Sequence, residues 1–247
     1  MAWILDLDGV LWLADEPIPG APEAVARLRE RGQRVLFLTN NSSARVGEYR
    51  DKLARFGIAV AEDDLVTSAQ AAATLLEPGE TALVCAGPGV EEALAARGVR
   101  TVRDGGADAV VVGWHRDFDY ERLTAAARAV WSGARLVGTN DDPTYPTPEG
   151  QIPGGGAILA AVATAGGVEP VVAGKPHPPM VALVRERLGG DLDGSMVVGD
   201  RPSTDGRMAV ALGVPFDLVL SGVTKKEDLP VDPAPARVAP DLAALVN

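Results

Sequence analysis

The stretch Ile4-Leu5-Asp6-Leu7-Asp8-Gly9-Val10 places two carboxylates directly behind a short apolar run near the start of the chain. The apolar run Ala2–Leu7 predicts a buried β-strand, and the polar residues at its end predict a turn. In open α/β sheets, ligands bind at the carboxyl ends of the strands, so both carboxylates are expected to face a site. An isolated Asp-x-Asp is more often a solvated turn, so the interpretation depends on the rest of the chain.

Three further apolar runs end in polar residues suited to phosphate chemistry. The segment Phe37-Leu38-Thr39-Asn40-Asn41-Ser42-Ser43 offers hydroxyl and amide groups that could bind phosphate or begin a helix. Gly174-Lys175-Pro176 follows the run Val171–Ala173, and Gly199-Asp200-Arg201-Pro202-Ser203-Thr204-Asp205 adds two carboxylates behind another run. Each segment alone has an ordinary explanation as a turn, a cap or a surface lysine. Their occurrence behind four separate runs predicts a single shared site.

The order of the runs predicts the fold class. Runs rich in Val, Ile and Leu alternate with stretches of helical periodicity, such as Val46–Phe56 before Gly57. This alternation predicts an α/β protein with a parallel sheet and helical crossovers. A second set of runs and helices lies between the breakers Pro78-Gly79 and Gly166-Gly167. We therefore predict a core formed by residues 1–78 and 171–247, with an inserted α/β cap domain at 79–170.

The composition limits the classes of partner. The chain has 247 residues, 47% of them hydrophobic, and a formal net charge of −11 at pH 7. No Lys/Arg cluster stands out, which argues against a nucleic acid polymer, and an anionic ester would need a local cation such as a metal. The single cysteine, Cys85, predicts a buried thiol in a reducing compartment. The N-terminal apolar stretch is too short for a membrane helix, so we expect a cytoplasmic protein without a membrane partner.

The four segments resemble, in order and spacing, the four motifs of the haloacid dehalogenase-like (HAD) hydrolase superfamily, over essentially the whole chain. The insertion carries Thr139-Asn140, Thr144-Tyr145-Pro146-Thr147-Pro148 and Gly154–Gly156, and it resembles subfamily IIA, the nitrophenylphosphatase and phosphoglycolate phosphatase relatives. The resemblance implies a Rossmann-like core and a cap that closes over the substrate. It also implies a Mg²⁺-dependent phosphatase that hydrolyses small phosphorylated metabolites, with nitrophenyl phosphate as an artificial substrate.

The same resemblance implies roles for the acidic and basic residues. Asp6 would be the nucleophile that forms an aspartyl-phosphate, and Asp8 would be the general acid/base. Mg²⁺ would be held by Asp6, Asp200 and the backbone carbonyl of Asp8, and Lys175 would add a second positive charge. Pro202-Ser203 departs from the leucine and acidic residue of many relatives, which removes a charge near the metal while the direct ligand Asp200 remains, so the effect on Mg²⁺ affinity stays open.

The remaining implied roles concern phosphate and substrate. Thr39, Asn40 and Asn41 would bind the phosphoryl oxygens, with Asn41 the least certain member. Asp205 would orient Lys175 or a metal-bound water. Tyr145 would contact the leaving group and select among substrates such as glycerol phosphate, phosphoglycolate, sugar phosphates, nucleotide monophosphates and pyridoxal phosphate.

Several interpretations stay open at this level. A phosphotransferase or mutase would use the same aspartyl-phosphate, and a binding protein could keep the fold without turnover. A homodimer through the cap is expected by analogy alone. His115 is expected to be an exposed loop residue, His177 a helix-entry or surface residue, and Gly154–Gly156 a hinge.

Overall fold

The computed structural model of the chain describes residues 1–147 and 150–247, so Pro148 of the quoted cap segment lies outside the described residues. Its strands, in chain order, are β1 (Ala2–Asp6), β2 (Trp12–Leu13), β3 (Glu16–Pro17), β4 (Arg34–Thr39), β5 (Leu65–Thr67), β6 (Thr81–Cys85), β7 (Arg100–Val102), β8 (Ala109–Val112), β9 (Arg135–Gly138), β10 (Thr144–Thr147), β11 (Gly150–Pro153), β12 (Val171–Val172), β13 (Met196–Gly199), β14 (Phe216–Val219) and β15 (Arg237–Ala239).

The helices alternate with these strands. They are α1 (Ala21–Glu30), α2 (Val46–Arg55), α3 (Ser68–Ala73), α4 (Pro88–Ala96), α5 (Tyr120–Trp131), α6 (Gly155–Gly166), α7 (Pro178–Arg187), α8 (Arg207–Leu212) and α9 (Leu242–Val246). Local residues set their ends: the Asp119 carboxylate accepts from Arg122 N (2.8 Å) at the start of α5, and Gly57 follows α2 with φ 81°. Among the described helices, none combines the length and the hydropathy needed to cross a bilayer.

Six parallel strands form the core sheet in the order β15-β14-β13-β1-β4-β5. The strand β1 lies between β13 and β4, so Asp6 at its end is flanked by Thr39 at the end of β4 and by Asp200 just after β13. This order brings three of the four quoted segments to one edge of one sheet. The predicted α/β class with a Rossmann-like parallel core is confirmed.

A second, five-stranded parallel sheet has the order β12-β9-β8-β6-β7. The sequence prediction assigned Val171–Ala173 to the core, and this is wrong for the strand itself. Val171 pairs with Val137 and Val172 with Gly138, so β12 extends the second sheet. The helix before β12, α6, packs on the second sheet, and Val172 packs against the same apolar cluster as Leu159 and Val162, so the chain returns to strand β9 of that sheet. The division into core and cap at 78/79 and 170/171 stays a prediction.

The two sheets share apolar packing. One cluster of buried residues contains Ile4 and Leu36 of the core sheet together with Val84 and Val111 of the second sheet. Two other clusters cover the outer faces: one packs α1 and α9 on the core sheet, and the other packs α5 and α6 on the second sheet. The second sheet is therefore joined to the core by a continuous hydrophobic interior.

Candidate active site

One cleft at the carboxyl edge of the core sheet collects every residue that the sequence predicted for the site. The residues that line it include Asp6, Asp8, Thr39, Asn40, Asn41, Tyr145, Lys175, Asp200 and Asp205. They come from the ends of β1, β4 and β13, from the loop after β12, and from the antiparallel pair β10–β11. Residues separated by up to 199 positions are thus brought together by strand order, Asp6 and Asp205 being the extremes.

A buried ion-pair chain lies at the centre of the cleft. The Lys175 ammonium contacts Asp6 Oδ1 at 2.5 Å and Asp205 Oδ1 at 2.6 Å. Lys175 is only 2% exposed, and a buried ammonium is tolerated when carboxylates pair with it. Of the two predicted alternatives for Asp205, the contact matches the one in which Asp205 orients Lys175.

The Asp200 carboxylate occupies a pocket made by main chain. Its Oδ2 accepts a hydrogen bond from Val223 N at 2.5 Å. A Cβ added to Gly9 would lie 2.3 Å from that oxygen, and one added to Gly222 would lie 1.8 Å from it. The close approach therefore requires glycine at both positions. Gly222 was not singled out from the sequence, because nothing in its local pattern indicates which side chain it would meet.

The charges in this cluster do not balance. Burial raises the pKa of Asp6 well above its usual range, and the attraction of Lys175 only partly offsets this effect. Burial, followed by the charge of Asp205, raises the pKa of Asp200 to about 7. Burial lowers the pKa of Lys175, but the attraction of Asp205 and Asp6 outweighs it, so the net shift is upward. Three carboxylates around one ammonium leave a site that favours a further cation.

The cluster fits a hard divalent cation. Carboxylate oxygens of Asp6, Asp200 and Asp205 lie within 4.8 Å of one another, and all three residues are buried. Oxygen donors and excess negative charge are what Mg²⁺ requires. The predicted ligand set contained Asp8 instead of Asp205, through the backbone carbonyl of Asp8. The side-chain cluster brings Asp205 close as well, although that carboxylate is already bound to Lys175.

In the Thr39–Asn41 turn, some polar groups hold neighbouring main chain in place and others remain available to the cleft. The Asn40 amide donates to Asp142 Oδ2 (2.9 Å) and to the Lys175 carbonyl (3.1 Å), and its oxygen accepts from Lys175 N (2.7 Å). The Asn40 side chain therefore fixes the main chain of Lys175. Thr39 Oγ1 accepts from Asn41 N at 3.0 Å, so its hydroxyl proton can be donated elsewhere.

The Asp8 carboxylate is held from two sides. The Tyr145 hydroxyl and the Trp12 indole Nε1 each donate to Asp8 Oδ1 at 3.0 Å. Tyr145 stacks on Trp114, with ring centroids 5.1 Å apart. The aromatic pair reaches the cleft from the second-sheet side, and Tyr145 contacts the carboxylate for which the sequence predicted a general acid/base role.

Trp12, Asp142 and Arg201 are among the residues in or beside the cleft that received no role from the sequence. Arg201 donates to the Thr144 carbonyl at 3.4 Å and lies 3.9 Å from Asp142, while its backbone N donates to Asp205 at 3.0 Å. Arg201 stood beside Asp200 in a quoted segment, but the partners of its side chain, Thr144 and Asp142, are distant in sequence. Trp12 follows Asp8 by four residues, and that spacing was the only local signal.

The expectations for His115 and for Gly154–Gly156 need correction. His115 is 6% exposed rather than an exposed loop residue, because the chain turns inward after β8 and its Nδ1 contacts the Gly113 carbonyl at 2.9 Å. The Gly154–Gly156 run is a close-packing feature: added Cβ atoms would lie 2.4 to 2.8 Å from Asp142 O, Asn140 Oδ1 and Asp141 O. His177 does precede α7, and it contacts Asp141 at 2.9 Å.

Comparison of the sequence with known proteins gives consistent matches. The profile of haloacid dehalogenase-like hydrolases matches residues 3–100, and a HAD-hydrolase-like profile matches residues 172–245. A D-glycerol 3-phosphate phosphatase from Mycobacterium tuberculosis is 40% identical over 232 residues, which are 91% of this chain and only 64% of that relative. An acid sugar phosphatase from Staphylococcus saprophyticus is 36% identical over 231 residues, with 92% and 89% covered.

Comparison with solved structures also identifies phosphatases. A p-nitrophenyl phosphatase from Archaeoglobus fulgidus has a TM-score of 0.91 at 33% identity, covering 99% of this chain and 97% of that one. A glycerol phosphate phosphatase from Mycobacterium tuberculosis, solved in complex with magnesium, has a TM-score of 0.89 at 37% identity, covering 99% and 75%. Both similarities extend over the core sheet and the second sheet together.

Proposed function

The chain belongs to the haloacid dehalogenase-like hydrolase family, and we propose that it is a Mg²⁺-dependent phosphatase that forms an aspartyl-phosphate at Asp6. The predicted resemblance is therefore confirmed. The relative and the structure that it matches over most of their length are phosphatases, so the chain is a hydrolase of phosphate monoesters. The metal, the intermediate and the substrate are the parts that we propose.

The buried Asp6 carboxylate is the observation that carries this proposal. It ends the central strand of the sheet, it is 8% exposed, and Lys175 holds one of its oxygens at 2.5 Å. A fixed, desolvated carboxylate beside an ammonium is a suitable nucleophile for phosphorus, because its approach to an anion is partly compensated. Asp8 follows two residues later with its own donors.

The chain's residues divide the reaction into two transfers. An Asp6 oxygen attacks phosphorus and the bond to the leaving oxygen breaks, while Asp8 gives that oxygen a proton. A water then attacks the aspartyl-phosphate, Asp8 takes its proton, and Asp6 and inorganic phosphate are released. The Thr39 hydroxyl and the main chain at Asn40 and Asn41 would donate to the phosphoryl oxygens.

Mg²⁺, held by Asp6, Asp200 and the Asp8 carbonyl, would neutralise the negative charge that accumulates between carboxylate and phosphate. Asp205 has a different role in this scheme. Because it pairs with Lys175 at 2.6 Å, it holds the ammonium in position for Asp6. We keep the cap at 79–170, the homodimer through it and the cytoplasmic location as predictions.

The substrate that we propose is a small phosphate ester, such as glycerol phosphate or a sugar phosphate. Tyr145, Pro146 and Trp114 line the cleft from the second-sheet side, opposite the buried acids. A cleft enclosed on that side accommodates a short alcohol more readily than a folded phosphoprotein. Glycerol phosphate and acid sugar phosphatases among the relatives support this class.

The test is phosphate release from a panel of alkyl, sugar, nucleotide and nitrophenyl phosphates, with Mg²⁺ and with chelator, for the native chain and for Asp6→Asn. We expect release that requires Mg²⁺ and is lost in the variant, because an amide cannot act as the nucleophile. Release that survives in Asp6→Asn would contradict the covalent mechanism. Phosphate transfer that needs an added alcohol acceptor would instead indicate a phosphotransferase, and no turnover of any ester would indicate a binding protein.

A further inference from the structure

Trp12 contacts the proposed general acid, yet the scheme above assigns it no task. Its indole Nε1 donates to Asp8 Oδ1 at 3.0 Å, and the Tyr145 hydroxyl donates to the same oxygen at 3.0 Å. Trp12 is 1% exposed, so water does not compete for its N–H group. The two donors differ in origin, since Trp12 follows β1 in the core and Tyr145 belongs to β10.

We propose that Trp12 is the positioning residue that determines which carboxyl oxygen of Asp8 exchanges a proton with the leaving group. An indole N–H is only ever a donor, so the oxygen that it contacts has to be an acceptor. A tyrosine hydroxyl can donate or accept, so Tyr145 alone would fit either arrangement. Trp12 therefore restricts the proton of Asp8 to Oδ2. The inference rests on the proposed function, in which Asp8 protonates the leaving alkoxide.

The indole is fixed well enough to perform this task. The Lys52 ammonium lies 4.4 Å from the centre of its ring, and the Phe56 ring is 6.1 Å away. The main chain of this turn is also held by hydrogen bonds. Gly9 N donates to Trp12 O at 2.7 Å, and Trp12 N donates to Leu7 O at 3.3 Å. A side chain locked by packing and by its own turn holds a catalytic group in a narrow range of positions.

The consequence depends on the leaving group. As the phosphorus–oxygen bond breaks, an alkoxide needs the proton from Asp8 Oδ2, because it is a strong base. Nitrophenolate is a weak base and departs with little help. In the first transfer, a misplaced Asp8 therefore slows alkyl esters selectively, whereas general damage to the site slows both kinds of ester.

The experiment measures kcat/KM of Trp12→Phe with Mg²⁺ for glycerol phosphate and for nitrophenyl phosphate, because kcat/KM reports the first transfer and not the hydrolysis of the aspartyl-phosphate that both esters share. We expect a loss of about tenfold for the alkyl ester and of less than about twofold for the aryl ester. Trp3→Phe is the matched control: Trp3 lies in the same apolar cluster, and its Nε1 has no hydrogen-bond partner within residues 1–147 and 150–247. For Trp3→Phe, the ratio of activity on the alkyl ester to activity on the aryl ester should equal that of the native chain.

Equal losses for the two esters, or no loss for either, would overturn the inference while leaving the phosphatase intact. In an Asp8→Ala background, Trp12→Phe should change the ratio no further, since the group that it positions is gone; an additional change would also overturn it. A native chain that releases phosphate from neither ester would overturn the proposed function, and this inference with it.

A measurement on the native side chain covers the case in which Trp12→Phe does not fold. The indole N–H proton of Trp12 should resonate downfield in a ¹H–¹⁵N spectrum, because it is bound to a carboxylate, and it should move upfield in Asp8→Ala. The Trp3 resonance is the internal control and should stay in place. A Trp12 signal unaffected by Asp8→Ala would show that the contact is not made, and the inference would fail.

Discussion

The acidic cluster and the aromatic pair face each other across one cleft, but they are built differently. The acidic cluster, defined as Asp6, Lys175, Asp200 and Asp205, is buried and bonded within itself and to main chain. The aromatic pair, Trp114 and Tyr145, is only partly buried and reaches the acids through one hydrogen bond to Asp8. From this difference we expect the acidic cluster to set whether an ester is hydrolysed, and the aromatic pair to set which one.

Lys175→Met is the most severe test of this comparison. It leaves the carboxylates of Asp6 and Asp205 buried without a cation, which costs about 3 kcal/mol of unfolding free energy or more. We expect turnover of every ester to fall by at least about 10³-fold, because the nucleophile is no longer oriented or compensated. Thermal unfolding and kcat on the full panel measure both effects. A variant that loses activity on some esters only would contradict the assignment of the cluster.

Tyr145→Ala tests the other side of the cleft. Two alkyl esters of different size, glycerol phosphate and a hexose phosphate, keep the leaving-group chemistry constant. We expect the ratio of kcat/KM between the two esters to change by about tenfold, since a missing aromatic contact alters the fit of the alcohol. Tyr145→Phe is the control that keeps the ring, so its ratio of kcat/KM between the two esters should stay near that of the native chain. If Tyr145→Ala slows both esters equally, Tyr145 is not the selector.

The acidic cluster should also couple metal binding to pH. The pKa of Asp200 is raised to about 7 in the fold, so its contribution to the stability of the metal-free protein is present at acid pH and is lost as pH rises from about 4 to about 7. Mg²⁺ competes with that proton, so its stabilisation should grow over the same range.

The measurement is the shift of Tm on adding Mg²⁺ at pH 5 and at pH 8, with chelator as reference. We expect a shift of several °C at pH 8 and a much smaller one at pH 5. Asp200→Asn removes the titrating ligand, so both shifts should shrink. Equal shifts at the two pH values in the native chain would argue against a metal at these carboxylates.

Ser42→Ala gives the smallest expected effect and probes the junction between the two sheets. The Ser42 and Thr139 hydroxyls are fully buried and hydrogen-bonded at 2.9 Å, so the substitution should lower the unfolding free energy by about 1–2 kcal/mol. The double variant Ser42→Ala/Thr139→Val should cost less than the sum, because neither hydroxyl is left unpaired. The ratio of kcat/KM between esters should not change. A change would mean that the junction contributes to substrate selection.

Much of the fold followed from local pattern. The strand β1 (Ala2–Asp6) and the helix α2 (Val46–Arg55) each end one residue before the limit that the sequence predicted, because an apolar run and the glycine that follows a helix are contiguous signals. The strand at Val171 was misassigned, since its partner is set by where the preceding helix α6 packs and not by the apolar run itself. The buried state of Cys85 was predicted from its run, and the structure confirms it.

The sequence by itself determined which chemical groups are available: Asp6, Asp8, Lys175 and Asp200 each follow an apolar run, and parallel strands carry their carboxyl ends to one edge. Only the tertiary structure decided how these groups pair. The contacts of Trp12 and Tyr145 with one oxygen of Asp8, and of Gly9 and Gly222 with Asp200, join segments whose distance in space is not encoded in their spacing. Hydrogen bonds act over a few ångströms, so they are fixed only once packing has brought distant strands together.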